Sequence, residues 1–412
     1  MKILHICSLY HPSKGGAQIH MKELSENFAS RGHDVMVFAS KAYNCDDYFS
    51  RNNDSKNLLS EEIINGVKVK RFKINWLFAR LFFRVLWKIR GGYWLTKKIF
   101  SKYIKIISHG PVCFQMINAI IKEQPQIILA INLHATTTFA AYMAHKRLKS
   151  KFIVMPLLHV FDEWVHDDFI YEILASCDSI IALTDFEKEY LVNKGLKAEK
   201  IAVIGPGVDI YPNERDNNEF NERQSGSSER DQSKVFFCGR IVRSKGIDTL
   251  IDAMQIVWKK HSEAELTIAG TVERDYFREL DDKIKSIDKK FQHLIKKNFE
   301  FQEEEKDQIY EDCDFLILPS ITESFGIVIL EAWKYKKPVI VCRNSAPATV
   351  VQEKQNGLHF AYKDAKNLSE KINYMIENKM EAKQMGENGF EEVLCRYTWD
   401  QVANRLIEIY KK

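Results

Sequence analysis

Between Phe315 and Trp333 the chain passes from a short apolar run, Phe315-Leu-Ile-Leu318, through Pro319-Ser320 and a loop punctuated by Gly326. From Ser324 the apolar residues Ile327, Leu330 and Ala332 suit one face of a helix. An apolar run of this length, bounded by breakers, has the pattern of a strand buried on both faces of a parallel sheet. The helix after it packs back on that sheet. Such a unit points to an α/β fold, since parallel strands need crossover helices. The turn itself is an anion site: backbone N–H groups of the first helical turn lack internal partners, and the macrodipole adds partial positive charge. Two carboxylates frame it. Glu323, in the loop, can accept hydrogen bonds from sugar hydroxyls, and Glu331, about two helical turns further on, suits a ribose diol. Taken alone, Glu-x7-Glu fits a capped core helix equally well.

The same alternation recurs along the chain. Ile3 to Leu9 reads as an opening strand, Pro12-Ser-Lys-Gly-Gly16 as its turn, and Met21, Leu24 and Phe28 as one helical face ended by Gly32. Val35 to Phe38 supplies a second strand. A βαβ unit of this kind binds ligands at the carboxyl ends of its strands, and Gly15-Gly16 lets backbone approach a ligand closely. The absence of Gly-x-Gly-x-x-Gly there counts against a dinucleotide-dependent dehydrogenase. Ile127 to His134 and Phe152 to His159 are two further buried-strand patterns, each ending in a histidine. Phe161-Asp-Glu-Trp-Val-His-Asp-Asp168 follows as an acceptor loop or a helix cap. Ser179 to Leu183 is another strand, and Thr184-Asp-Phe-Glu187 opens a helix with a capping box.

At 412 residues the chain exceeds one ordinary core and fits two domains. The break falls at Val203-Ile-Gly-Pro-Gly-Val-Asp209. Pro212 to Ser233 contains no Leu, Ile or Val and reads as an exposed linker. Val235 to Arg240 restarts the α/β pattern, with Glu265 to Gly270 as a later strand. Arg240 and Lys245 flank a strand end, where two cations suit a diphosphate. The eight scattered cysteines include no Cys-x-x-Cys and read as buried small hydrophobes in a reducing compartment. No signal peptide or membrane span is evident, so the expected location is cytoplasmic.

The net charge of +4 is unevenly spread. Ile63 to Lys122 holds thirteen lysines and arginines and no acid, interleaved with aromatic residues. Arg80, Arg84 and Lys88 fall on one helical stripe, as do Lys98, Lys102 and Lys105. A basic stripe beside an aromatic and aliphatic face fits a helix lying on an anionic membrane surface, through segment 68–122. A core helix with a solvated basic face is the alternative. Nucleic acid fits bulky aliphatic partners less well, and no nucleic-acid partner is expected.

Glu323-x7-Glu331 with Phe325-Gly326 inside it and Glu-Ala after it, together with Gly239-Arg-x4-Lys-Gly-x-Asp248, resembles the donor-binding signature of glycosyltransferase family 4. The resemblance covers nearly the whole chain and is strongest from Val235 to Gly357. It implies a GT-B fold: two facing Rossmann-like domains with a cleft between them, and a C-terminal helix crossing back to the first. The implied boundaries are 1–207 for the acceptor domain, joined by 397–412, then 208–233 for the linker and 234–396 for the donor domain. It also implies a retaining, nucleotide-sugar-dependent hexosyltransferase. That enzyme takes a nucleotide diphosphate sugar as donor and a glycan or lipid-linked acceptor, in polysaccharide, lipopolysaccharide or glycolipid synthesis, on the inner face of the membrane. By resemblance, Gly15 and Gly16 face the donor diphosphate and the acceptor, His134 touches the donor sugar, and His159, with Asp162 nearby, lies beside the acceptor. Arg240 and Lys245 meet the diphosphate. Glu323, Ser324, Phe325, Gly326, Ile327 and Glu331 form the donor loop and its helix. No Asp-x-Asp motif sits at the expected cleft loops, so no metal or other cofactor is expected. One departure leaves the base open: Gln302-Glu-Glu-Glu305 follows Phe301 directly, where the family has a glycine and several more residues. Within the same fold an epimerase or a phosphorylase is the alternative. A catalytically silent membrane scaffold is a further one, though it needs none of His134, Arg240, Lys245, Glu323 and Glu331.

Overall fold

A computed structural model describes residues 1–13, 15–48, 57–75, 110–133, 135–162, 165, 168–210, 232–299 and 303–412. They form two compact units: Met1–Gly207 together with Trp399–Lys412, and Val208–Thr398.

The first unit is built on β1 (Lys2–Ile6), β2 (Asp34–Ser40), β3 (Glu61–Ile64), β4 (Val67–Phe72), β5 (Ile127–Ile131), β6 (Lys151–Met155), β7 (Ser179–Ala182) and β8 (Ile201–Val203). They line up as β3-β4-β2-β1-β5-β6-β7-β8, and all neighbours are parallel except β3 and β4. Every residue of β5 is buried, which is why such strands read as continuous apolar runs. The opening strand ends at Ile6, three residues short of the expected Leu9, because Cys7 to Leu9 already belong to the loop. The β3–β4 hairpin was not anticipated, although its signal is Asn65-Gly66. Both residues take left-handed φ, 45° and 82°, as a two-residue turn between twisted strands requires.

That hairpin changes the reading of the basic segment. Lys68, Lys70 and Arg71 lie in β4. Lys68 pairs with Asp34 at 2.9 Å, Lys70 with Glu61 at 2.5 Å, and Arg71, its side chain 1% exposed, with Glu62. These cations are part of the sheet, and Lys122 belongs to the helix Phe114–Glu123, which buries Met116 and Ile120. Residues 76–109, which include Arg80, Arg84, Lys88, Lys98, Lys102 and Lys105, lie outside the described residues, as do residues 211–231 of the expected linker. Among the described residues no helix is long and apolar enough to cross a membrane.

The second unit carries β9 (Lys234–Cys238), β10 (Glu265–Gly270), β11 (Ile295–Phe299), β12 (Phe315–Leu318), β13 (Val339–Cys342) and β14 (Gly357–Phe360), arranged as β11-β10-β9-β12-β13-β14. All neighbours are parallel. Strand order reverses between β9 and β12 here, and between β1 and β5 in the first sheet. In open α/β sheets such reversals are where ligands bind, outside the carboxyl ends of the strands.

The last helix runs Trp399–Lys411, opening two residues later than expected because Val393–Tyr397 forms a π-helical turn. It packs in the first unit, where Tyr410 stacks on Phe28 with centroids 5.4 Å apart and Arg31 pairs with Asp400 at 2.6 Å. The Gly207 backbone passes so close to Trp399 that a Cβ there would lie 2.4 Å from the indole. All eight cysteines are free thiols. Six are buried as expected; Cys45 and Cys395 are exposed, a departure that periodicity alone does not reveal.

Candidate active site

In the second unit the loops after β9 and β12 pack against each other because the two strands are neighbours. Gly246, at φ 74°, caps the helix Ile247–Val257. A Cβ at this position would lie 2.5 Å from the Pro319 carbonyl oxygen, so only glycine lets the first loop approach the second. Ser320 is fully buried, and its hydroxyl donates to Ser244 O at 3.4 Å and Thr322 O at 3.3 Å. Across this seam Lys245 Nζ meets Glu323 Oε1 at 2.5 Å, with side chains only 12% and 11% exposed. The expected diphosphate cation and sugar carboxylate therefore form one ion pair. Arg240, one residue past the Gly239 turn, is exposed.

The donor loop differs from expectation in where its helix begins. That helix spans Val328–Lys334, not from Ser324 onward. Phe325 turns inward, 1% exposed and edge-on to Tyr397 with centroids 5.5 Å apart, and Gly326 takes φ 87°. A Cβ on Gly326 would lie 2.7 Å from a Leu318 methyl carbon. The turn is thus held from beneath by β12. The first amide to bond back is Ile329, to Gly326 O at 2.9 Å. Those of Gly326, Ile327 and Val328 precede that bond, at the end where a helix leaves its donors open. With seven residues, this helix adds little macrodipole; the open amides carry the anion argument.

Glu331 lies within the helix, its side chain 21% exposed. Two partners hold it that were not read from the sequence. Lys306 Nζ is 2.5 Å from Oε1, and the Tyr310 hydroxyl donates to Oε2 at 2.8 Å. Both come from the helix Glu303–Asp312, in the segment where the sequence departs from the family pattern. Their spacing of four residues was the available signal.

In the first unit, Gly15 is the N-cap of the helix Gly16–Ser30, with no side-chain cap and no acid in the first turn. Its φ of 162° is extended backbone, so the glycine is not demanded by φ. A Cβ there would meet the Gln18 side-chain amide. His134 lies outside the described residues. His159 is half-buried, and its carbonyl accepts from the amide of Asp162 at 2.9 Å, closing a turn. The anchor of this loop is Glu187, 1% exposed. Thr184 caps its helix as expected by accepting from the Glu187 amide. The Glu187 carboxylate, however, accepts from the Leu183 amide at 2.7 Å and from the Leu158 amide at 2.9 Å. The capping box thus also ties down the residue before His159, next to Leu157 at φ 55°. Burial pushes the Glu187 carboxyl up to about 7, against the two backbone donors.

Residues 14–211 match the family model described as Glycosyltransferase Family 4, and residues 218–392 match that of glycosyl transferases group 1. An uncharacterised glycosyltransferase of Methanocaldococcus jannaschii is 25% identical over 422 residues, covering 100% of this chain and 98% of the relative. The capsular polysaccharide biosynthesis glycosyltransferase CapM of Staphylococcus aureus is 25% identical over 56% of this chain and 60% of its own length. Among solved structures, Anabaena HepE in complex with UDP superposes with a TM-score of 0.72 at 18% identity, covering both chains completely. The two parallel-sheet units are those of the GT-B fold, and the family models and relatives make the chain a glycosyltransferase enzyme. Within that class the chain belongs to the family 4 type, one family model lying on each half.

Proposed function

We propose that this enzyme moves a sugar from a nucleotide diphosphate sugar, with retention at the anomeric carbon, to a hydroxyl of a glycan or lipid-linked acceptor, in cell-surface polysaccharide or glycolipid synthesis. The observation that carries the reading is the joint at the β9/β12 reversal. There Lys245, Glu323 and the open amides around Gly326 lie at the carboxyl ends of adjacent strands, with Glu331 in the helix that follows directly. The UDP complex of HepE and the capsular role named for CapM support it. In this reading the acceptor oxygen bonds to the anomeric carbon on the face the diphosphate leaves. The bond to the diphosphate oxygen breaks, and the leaving group carries away the electron pair and takes up the acceptor hydroxyl's proton. Arg240, Lys245 and the open amides take up that charge. Glu323 accepts from the donor-sugar hydroxyls, with His134 on the same sugar, and Glu331 accepts from the ribose. Gly15 and Gly16 face the donor diphosphate and the acceptor, while His159 and Asp162 serve the acceptor side. No residue is assigned as nucleophile, and no divalent ion has a role.

Calorimetric titration with UDP and GDP tests this directly. One of them binds, and equally well in a chelator. Glu331→Gln weakens it by roughly 1.5–3 kcal/mol, the scale of a hydrogen bond to a charged group. Equal affinity of wild type and variant would sink the assignment, and an inverted anomeric signal in the product would refute retention.

We further propose that the basic aromatic segment within 68–122 holds the enzyme on an anionic leaflet. Cations near such a surface contribute about 1 kcal/mol each, screened by salt, while aromatic burial persists. Binding to anionic liposomes should fall with salt without vanishing. Changing Arg80, Arg84 and Lys88 together to Glu should abolish it. A chain that ignores anionic liposomes at low salt has a soluble acceptor.

A further inference from the structure

Glu331 does not wait for its ligand alone. Lys306 and Tyr310 lie four residues apart on the helix Glu303–Asp312, so both side chains leave one face toward Glu331. Tyr310 is 1% exposed, its ring stacked on Tyr335 with centroids 5.8 Å apart and edge-on to Phe236 at 5.0 Å. That packing fixes where its hydroxyl sits. Burial, and after it the nearby Cys238 and Glu331, hold that hydroxyl well above its ordinary pKa, so it remains a donor. The Lys306 side chain is 15% exposed, dry enough for its charge to be felt by Glu331 but open enough to share. A second pair, Lys334 with Asp307 at 4.0 Å, joins the same two helices. Each carboxylate oxygen offers about two lone pairs. With Lys306 on Oε1 and Tyr310 on Oε2, one acceptor position remains on each oxygen. Two adjacent acceptors in a fixed plane complement a vicinal diol donating both of its O–H groups.

We propose that Lys306 and Tyr310 are positioning residues of the nucleoside subsite. They set the plane of the Glu331 carboxylate, offset its charge close to the diphosphate, and leave one acceptor per oxygen for the ribose 2′- and 3′-hydroxyls. The proposal rests on the reading that Glu331 binds the ribose. It predicts selection of ribonucleotides by geometry, without Lys306 having to touch the nucleotide.

Calorimetry on the full chain with UDP and GDP and their 2′,3′-dideoxy counterparts tests it. For the base that binds, the wild type should prefer the ribose form by about tenfold or more. Lys306→Met and Tyr310→Phe should each narrow that preference to about threefold by weakening the ribose form alone, and Lys306→Arg should restore it. In a Glu331→Gln background neither change should add anything, since the carboxylate they orient is gone. If Lys306→Met weakens both forms equally, Lys306 acts on the phosphates or on the fold, and the proposal is overturned. If Glu331→Gln keeps the wild-type preference, the ribose reading itself fails, a distinguishable outcome. Should Tyr310→Phe not fold, the two Lys306 variants decide alone.

Discussion

Lys245→Ala lowers affinity for the nucleoside diphosphate about a hundredfold, near 3 kcal/mol, whereas Arg240→Ala lowers it about tenfold. The difference follows from where the two cations sit. Arg240 is exposed, so solvent already screens it. Lys245 is 12% exposed and spans 2.5 Å to Glu323, itself 11% exposed. Removing Lys245 deletes a phosphate partner and also leaves a nearly buried carboxylate unpaired beside an incoming dianion. The double variant Lys245→Ala with Glu323→Gln therefore regains thermal stability over Lys245→Ala but not its affinity. Unchanged diphosphate affinity in both single variants, by calorimetry, removes these residues from the donor site. If the double variant regains affinity as well, only the stranded carboxylate mattered.

Acidification from about pH 6.5 downward destabilises the first unit through two buried imidazoles. His5 and His20 are 0% and 4% exposed, and among the described residues His5 Nε2 and both nitrogens of His20 lack hydrogen-bond partners. Burial, with His20 adding to it for His5, pushes His5 down to about 3; burial alone pushes His20 down to about 4. The unfolded chain takes these protons near 6.5 and the folded unit refuses them. Their contribution is therefore fully present above about pH 6.5 and is lost as pH falls toward 4 and then 3. At about 1.4 kcal/mol per pH unit, His20 amounts to roughly 3 kcal/mol and His5 to roughly 5 kcal/mol. Glu187 works in the opposite sense. Its folded carboxyl keeps the proton up to about 7 while the unfolded chain releases it near 4.5, so it adds stability as pH falls through that window, roughly 3 kcal/mol. The terms partly offset each other down to about pH 4.5, after which only the histidine loss continues. Melting of wild type and His20→Leu from pH 7 to 3 reads this out: the variant should gain roughly 3 kcal/mol on the wild type at pH 4 relative to pH 7. Identical pH dependence of the two would exclude a buried neutral His20.

Much of the architecture is local information. β1, β5, β6, β9, β10 and β12 are buried runs of four to six residues. Covering both faces of a parallel sheet demands continuous apolar side chains, so those strands are visible one at a time. The glycines at 246 and 326 and the Thr184 cap stand out for the same reason, since each is a short-range requirement of a turn, and Arg240 and Lys245 stand out as two cations close in sequence beside a strand end. What the tertiary structure decided is which of these local pieces meet. Lys245 and Glu323 are 78 residues apart and become one ion pair because β9 and β12 are neighbours. Lys306 and Tyr310 reach Glu331 across 25 and 21 residues, and Glu187 reaches Leu158 across 29. The cations of β4 turned out to be sheet residues because a two-residue hairpin set Glu61 and Glu62 against them. Hydrophobic periodicity records which face of an element is buried, but carries no term for the partner across the sheet. Pairing of charges over long loops is therefore settled only when the strands assemble.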